Sequence, residues 1–309
     1  MASHSRALQQ QLRQLADTLA AAGIDTPMVD AELLAGHVLG ESRGRVQALA
    51  IMGRTFTEAQ HAQFEALGQR RAERVPLQHL TGLAPFRTLE LKVGPGVFVP
   101  RPETELIAQI AIDELALKPD PLALDLCTGS GALALAMAHE VPTARIWAVE
   151  KDETAYSWAA QNVADWGDHR VTLLLGDIAE LDDPDQGTQQ PAGEIDRAIT
   201  PLLERFAVLA SNPPYVPASE IPVDPEVREH DPDLALYSGS DGLDAIRILS
   251  RAGRRLLAPG GLIVLEHTEE QGAAIRGLLA RDGWQQTHTH VDLTGRDRAT
   301  SARLPGQAE

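Results

Sequence analysis

The stretch Ser211-Asn212-Pro213-Pro214-Tyr215 closes the apolar run Phe206 to Ala210. A buried strand that ends in two prolines cannot continue its hydrogen-bonded ladder, so its last polar side chain and its carbonyls are left at the sheet's edge. Open α/β sheets place their chemistry at that edge. Asn212 offers a side-chain carbonyl, Pro213 a backbone carbonyl with no N–H of its own, and Tyr215 a flat ring. Two acceptors can hold both hydrogens of a planar NH2 group while the ring packs on its plane, which aims the nitrogen lone pair at an electrophile beside the strand. Asn and Pro are equally ordinary turn residues, and a strand-terminating turn explains the same four letters.

A second constellation lies upstream. The strand Leu122-Ala123-Leu124-Asp125-Leu126 runs into Cys127-Thr128-Gly129-Ser130-Gly131 and then a helix. Glycines at such a bend let backbone approach a ligand, and the helix N-terminus beyond offers free N–H groups. Glu150 ends the next strand, about 20 residues past the loop, where an acidic side chain can take both hydroxyls of a ribose. The loop has neither the full Gly-x-Gly-x-x-Gly pattern nor a Lys-Ser/Thr ending, which argues against a dinucleotide or a nucleoside triphosphate and fits a nucleoside cofactor without phosphate. Asp177-Ile178, at the end of the following strand, lies on the same edge. Asp177 could accept from an adenine amine with Ile178 against the ring; it could equally cap a helix.

The elements that must carry these residues follow from periodicity. Beyond Pro121, strands at 122–127, 146–150, 171–176, 206–210 and 262–266 alternate with helices at 132–139, 153–165, 241–257 and 271–281, which implies parallel strands covered on both faces. Gln285 to Asp292 and Ala299 to Leu304 read as a closing antiparallel pair. The segment Asp182 to Glu194 reads as a surface insertion, followed by a short helix near Pro201 to Arg205, and residues 216–240 as a Pro-rich loop. Ahead of this domain, Leu8, Leu12, Leu15 and Leu19, then Val29, Leu33, Leu34, Val38 and Leu39, recur at helical spacing, and a further helix is expected from Thr57 to Arg74. Such short helices need one another, so a small bundle is expected. Gly82, Pro85, Gly94, Pro95 and Gly96 punctuate a β-hairpin connector with apolar pieces at Leu89–Val93 and Val97–Val99. It leads into a helix at 106–117.

Composition bounds the remaining possibilities. The 309 residues, 43% hydrophobic, suffice for one ordinary domain plus an appendage. A lone cysteine, Cys127, excludes an internal disulfide framework and points to a reducing compartment. No apolar run is long enough to span a bilayer and the N-terminus carries no apolar signal core, so a cytoplasmic protein is expected. A net charge of −17 argues against non-specific nucleic-acid affinity. Arginines at 70–74 and 251–255 are the candidate basic patches and read as solvated helix faces. His288 and His290 share a strand face but lack a third ligand, so no metal site is expected. Trp147, Trp158, Trp166 and Trp284 read as packing residues.

Asp125-Leu126-x-Thr-Gly-Ser-Gly, the acidic residue ending the next strand and Asn-Pro-Pro-Tyr ending the fourth together resemble the class I S-adenosylmethionine-dependent methyltransferases that modify an NH2 nitrogen. Phe98-Val99-Pro100-Arg101-Pro102-Glu103-Thr104-Glu105, Leu234-Ala235-Leu236 with Asp241-Gly242-Leu243, and Leu265-Glu266 before Gln271 narrow the resemblance to the release factor glutamine methyltransferases (the HemK/PrmC family). It covers nearly the whole chain apart from the Asp182 to Glu194 insertion.

The resemblance implies a Rossmann-like, doubly wound, mostly parallel seven-stranded sheet at 101–309, a β-hairpin connector at 76–100 and an N-terminal helical bundle at 1–75 that docks substrate. It implies S-adenosyl-L-methionine as cofactor, leaving as S-adenosyl-L-homocysteine, with Asp125, Cys127, Thr128, Gly129, Ser130, Gly131, Glu150, Asp177, Ile178 and Asn212 around it. The implied substrate is the glutamine side-chain amide of the Gly-Gly-Gln tripeptide in class 1 peptide chain release factors. Asn212 Oδ1 and the Pro213 carbonyl would accept its two N–H groups, with Pro214 and Tyr215 against the amide. Arg101 and Glu103 would order the pocket or bind the peptide backbone, unless they form a structural ion-paired loop. A monomer is expected. Cys127 stands where the family often has glycine, Glu150 where Asp is frequent, and His267 where a smaller residue is common; Cys127 reads as a small buried side chain. Two other readings stay open: transfer to an adenine or guanine amine in nucleic acid, and a non-enzymatic cofactor-binding module.

Overall fold

The computed structural model describes residues 7–182 and 193–306, so most of the expected insertion at 182–194 lies outside the described residues. The chain divides into two compact units, one formed by residues up to Leu83 together with Pro222–His230, the other by Ala84–Ile221 and everything from Asp231 on.

The first unit is a helical bundle of α1 (Leu8–Ala21), α2 (Pro27–Leu39), α3 (Arg43–Ile51), α4 (Glu58–Ala72) and the short α5 (Leu77–Thr81). Each helix has a recognisable start or stop. Pro27 opens α2 and Gly40, in the left-handed region, ends it, while Thr57 and Gln60 close a capping box at the head of α4. Leu8, Leu12, Ala16, Leu34, Val46, Phe56 and Phe64 make the shared core. Buried in it, Arg71 holds Asp30 at 2.7 Å and Glu226 at 2.8 Å and donates to the Val75 carbonyl. Glu226 comes from α10 (Pro225–His230), far along the chain. A charge removed from water is tolerable only when its donors are used in this way. Arg71 is therefore no part of a solvated basic face, and Arg74 pairs with Glu226 and Asp224.

The second unit begins with a hairpin of β1 (Leu83–Phe86) and β2 (Leu89–Lys92). The expected second arm, Val97–Val99, is not a strand. The chain reverses earlier, at Arg87-Thr88, where Arg87 takes a positive φ, and Val93, Val97 and Val99 instead pack on Ala155 with Trp158 alongside. Trp158 and Trp166 donate to the carbonyls of Pro95 and Glu90, and Asn162 brackets Lys92 with both its amide atoms.

After a 3-10 turn at Pro102–Thr104, α6 (Glu105–Ala116) leads to β3 (Leu122–Leu126), α7 (Ala132–Glu140), β4 (Arg145–Glu150), α8 (Glu153–Trp166), β5 (Val171–Leu175), α9 (Glu194–Ile199) and β6 (Phe206–Ser211). The helix expected near 201–205 is this earlier α9 with a 3-10 turn at Thr200–Leu202, and the loop at 216–240 contains α10 and α11 (Asp233–Leu236). Then come α12 (Asp244–Leu256), β7 (Leu257–Glu266), α13 (Gly272–Arg281), β8 (Gln285–Val291) and β9 (Asp297–Arg303). The seven-stranded sheet has the order β5-β4-β3-β6-β7-β9-β8. Its pairings are parallel from β5 through β7 and antiparallel on both sides of β9. β3 and β6 are buried along their whole length, and apolar cores built around Leu133–Ala138 and around Ile246, Leu249 and Ile275 cover the two faces of the sheet. Strand order reverses between β3 and β6, and the crevice at such a reversal is where open α/β sheets hold ligands. Among the described residues no helix is long and apolar enough to cross a membrane.

Candidate active site

β3 and β6 deliver both constellations to one crevice. Ser211, the last residue of β6, donates its hydroxyl to the carbonyl of Leu126 at the end of β3, which locks the two strand ends in register. A cavity of about 390 Å³ opens there. One wall holds Cys127, Thr128, Gly129, Ser130, Glu150, Asp177 and Ile178; the other holds Asn212, Pro214 and Tyr215 with Phe98 and Thr104. Asp125, Gly131, Pro213, Arg101 and Glu103 do not line it.

Asp125 works beneath the loop. It is fully buried; Oδ2 accepts from the Thr128 hydroxyl and from the Ala134 N–H at 3.0 Å, while Oδ1 has no partner. Burial pushes its carboxyl up to about 7 despite those donors. It thus ties the start of the loop to the first turn of α7. Cys127 has a φ of 68°. The reading of it as a small buried residue leaves out this backbone, for which glycine carries no Cβ penalty. Burial pushes its thiol up, and the carboxylates of Glu150 and Asp125 add to the effect.

Glu150 is drawn back over the loop: Oε2 accepts from Gly129 N–H, Oε1 from Lys151 and Asp152 N–H, each at 2.8 Å. Burial raises its carboxyl, a trend those N–H groups oppose without cancelling. Asp177 caps the 3-10 turn Ile178–Leu181 through Ala179 N–H at 2.9 Å and pairs with Lys151 at 2.7 Å. Burial opposes its charge, but the N–H and the ammonium prevail and hold it below the usual carboxylate range.

On the opposite wall, Asn212 Nδ2 donates to Thr104 Oγ1 at 3.2 Å, which commits the amino half of the amide and leaves Oδ1 as the half available to a ligand. The Tyr215 hydroxyl donates to Glu266 Oε1 at 3.3 Å, and Gln271 Nε2 donates to the Tyr215 carbonyl at 2.9 Å. Glu266 ends β7, is 2% exposed, and its Oε2 has no partner. Burial pushes its carboxyl up to about 7, against the Thr104 hydroxyl, Arg298 and the Tyr215 hydroxyl, and raises the Tyr215 phenol as well. Arg101 pairs with Asp231 at 2.9 Å and lies 5.0 Å over the ring of Phe98, which lines the cavity.

Phe98, Thr104, Glu266 and Gln271 enter the sequence reading only as letters of the motif blocks, with no role at the site, and Asp231 is not singled out. Glu266 carried a usable signal: it is an acidic residue at the carboxyl end of the strand next to β6. Thr104 sits in the Pro100 to Glu105 block, where its charged neighbours draw the eye.

A seven-stranded sheet with one antiparallel insertion, a glycine loop after β3 and an acidic end to the neighbouring β4 define an α/β methyltransferase, and residues 123–189 match the model of a methyltransferase domain. Residues 10–82 match the PrmC N-terminal domain. The release factor glutamine methyltransferase of Streptomyces coelicolor is 43% identical over 95% of this chain and 96% of its own length. That of Bifidobacterium longum is 42% identical over 93% and 96%. Among solved structures, the release-factor-specific protein-(glutamine-N5) methyltransferase of Alicyclobacillus acidocaldarius matches with a TM-score of 0.39 and 25% identity, covering 69% of this chain and 99% of its own. The chain belongs to the release factor glutamine methyltransferase family.

Proposed function

We propose that this enzyme transfers a methyl group from S-adenosyl-L-methionine to the side-chain amide nitrogen of the glutamine in the Gly-Gly-Gln tripeptide of class 1 peptide chain release factors. The observation that carries the reading is the anchoring of Asn212. With Nδ2 held by Thr104, its Oδ1 is left to accept an N–H on the wall opposite the glycine loop.

The cavity suits a nucleoside cofactor. Glu150 lies on the wall formed by the loop, Ile178 offers an apolar surface for a base, and the backbone from Cys127 to Ser130 lines the space between. Cys127, Thr128, Gly129, Ser130, Glu150, Asp177 and Ile178 would hold it, with Asp125 and Gly131 shaping the loop from behind. When bound, it supplies an electrophilic methyl on a sulfonium.

An amide nitrogen is a weak nucleophile because its lone pair is delocalised, so this site must work by positioning. Asn212 Oδ1 accepts one N–H of the glutamine amide from the cavity wall, and the carbonyl of the adjoining Pro213, outside that lining, accepts the other, which turns the lone pair toward the methyl. Tyr215 packs on the amide plane, its phenol anchored by Glu266. The sulfonium would supply the methyl and leave as a neutral thioether, and the nitrogen, made acidic by the transfer, would release its proton without a dedicated strong base.

The second reading, transfer to an exocyclic amine of nucleic acid, is disfavoured by the fate of the arginines. Arg71 and Arg74 are paired within the bundle, Arg251 pairs with Asp182, and Arg255 donates to the carbonyls of Leu181 and Asp182. Little of the basic surface that phosphates require is left at 70–74 and 251–255. Incubation with methyl-labelled S-adenosylmethionine and either purified release factor or DNA and RNA separates the two. Label in the release factor glutamine is the expected result, and label in nucleic acid alone overturns the proposal.

A further inference from the structure

The Asn-Pro-Pro-Tyr turn has few means of holding itself. Pro213 and Pro214 bring no N–H, so neither can donate to the backbone around it. The residue that follows is fastened from outside: Val216 N–H donates to the Leu236 carbonyl at 2.8 Å, and the Val216 carbonyl accepts from Ser238 N–H at 3.0 Å. One step closer to the site, the Tyr215 carbonyl accepts from Gln271 Nε2 at 2.9 Å, and the same amino group lies 3.4 Å from the Asp241 carbonyl. Gln271 Oε1 accepts from Thr268 N–H at 3.1 Å. That last bond fixes the direction of the amide. A backbone N–H can only donate, so it takes the oxygen half and turns the amino half toward the two carbonyls. Gln271 is 9% exposed, which leaves little water to replace these bonds. It immediately precedes α13, a position where Ser, Thr, Asp or Asn ordinarily caps a helix, yet its side chain makes no capping bond to α13.

We infer that Gln271 is a positioning residue for methyl transfer: its amide clamps the Tyr215 carbonyl and so sets the ring of Tyr215 against the substrate amide. The peptide unit that joins Tyr215 to Val216 is held on both edges, its carbonyl by Gln271 and its N–H by Leu236. With that unit fixed, the point from which the tyrosine side chain springs is fixed as well. The tip of the same side chain meets Glu266 Oε1 at 3.3 Å, so the residue is tied at its backbone and at its hydroxyl. Without the Gln271 amide the peptide unit would hang from the Leu236 bond alone, and the Tyr215 carbonyl would lose its partner. Gln271 itself does not line the cavity. It touches no reacting atom and acts through Tyr215.

The inference rests on the release factor reading, so its test starts from wild-type enzyme that labels purified release factor. Absence of that label overturns the reading itself, before any variant is compared. Gln271→Met keeps the length of the side chain and removes both polar ends. Gln271→Glu keeps an oxygen for Thr268 N–H and puts a second carboxylate oxygen, which when ionised only accepts, in place of the amino donor. A misplaced group in an active site costs up to about 100-fold in rate. Both variants are expected to lower kcat by about 10- to 100-fold. KM for release factor and Kd for S-adenosylmethionine are expected to stay within about twofold of wild type, the pattern of an interaction that tells only in the transition state. In a Tyr215→Ala background, where the ring to be placed is gone, Gln271→Met is expected to cost less than about a further twofold, because the two residues act as one unit. Wild-type kcat in Gln271→Met overturns the clamp. So does loss of cofactor binding in both variants, since a role confined to the turn leaves the cofactor wall in place. A full further loss in the Tyr215→Ala background overturns it too, because it marks a structural effect independent of the ring.

Discussion

A Cβ built on Gly242 would stand 2.2 Å from the carbonyl oxygen of Tyr215, with Gln271 Nε2 at 2.6 Å. Gly242 also holds a φ of 75°, so position 242 is closed to side chains both by conformation and by space. The short segment Asp241-Gly242-Leu243 thus acts as a backstop for the tyrosine of the site, and Gln271 fastens the same carbonyl from the other side.

Gly242→Ala is accordingly expected to destabilise the protein by about 1–3 kcal/mol and to lower kcat, because Tyr215 must shift to make room. Thermal unfolding and single-turnover methylation of release factor measure the two effects. Unchanged values of both would show that the contact yields freely.

Glu150 gathers three backbone N–H groups around the glycine loop. Hydrogen bonds to a charged group are worth about 1.5–3 kcal/mol each. Loss of one that reaches a ribose corresponds to about 10- to 100-fold in affinity. Calorimetric titration of Glu150→Ala with S-adenosylmethionine is expected to show that weakening, with a smaller change in kcat at saturating cofactor. An unaltered Kd would remove Glu150 from the cofactor site.

Asn212→Ala is expected to lower methyl transfer by about 100-fold or more, the scale on which removal of one preorganised hydrogen-bonding group acts, while cofactor binding stays nearly intact. A variant with wild-type turnover would be incompatible with the role given to Asn212.

Glu266 gives a pH signature. Its folded carboxyl titrates near 7, above the ordinary 4.5, because burial penalises the charge. Below pH 4.5 both folded and unfolded chains carry the proton and its contribution is fully present. As pH rises through 7 the unfolded chain has released the proton while the folded one resists, and about 3 kcal/mol of stability is lost over that window. Glu266→Gln does not titrate. Its stability relative to wild type is expected to climb from pH 4.5 to 7.5, as read by denaturant unfolding at each pH; parallel curves would contradict the assignment.

The sheet was legible because β3, β4, β5 and β6 are short apolar runs separated by helices, one of them opened by the Asp152 cap, and the chemistry of parallel sheets places their ends together. The loop from Cys127 to Gly131, Glu150 and the Asn-Pro-Pro-Tyr turn were visible for the same reason, since each follows directly on a strand. What escaped lacked a local pattern. In α3 only Val46 and Ala50 are buried, too few to trace an apolar stripe. The apolar letters of Val97–Val99 suit a strand, yet Gly94 and Gly96 bring the chain against Trp158 and Thr154, and the segment packs as coil. Thr104 and Glu266 become meaningful only beside Asn212 and Tyr215, across separations no sequence window spans.

The grouping of Pro222–His230 with the N-terminal bundle has a genetic corollary. The backbone passes between the two units at 83/84, at 221/222 and at 230/231. A crossover between related genes that falls between 83/84 and 221/222 splits this bundle: it imports a new Arg71 and Arg74 while keeping the old Asp224 and Glu226, which complete their ion pairs. Exchanges in which both stretches travel together keep these ion pairs; those that separate them keep them only where both parents carry the same residues at 71, 74, 224 and 226.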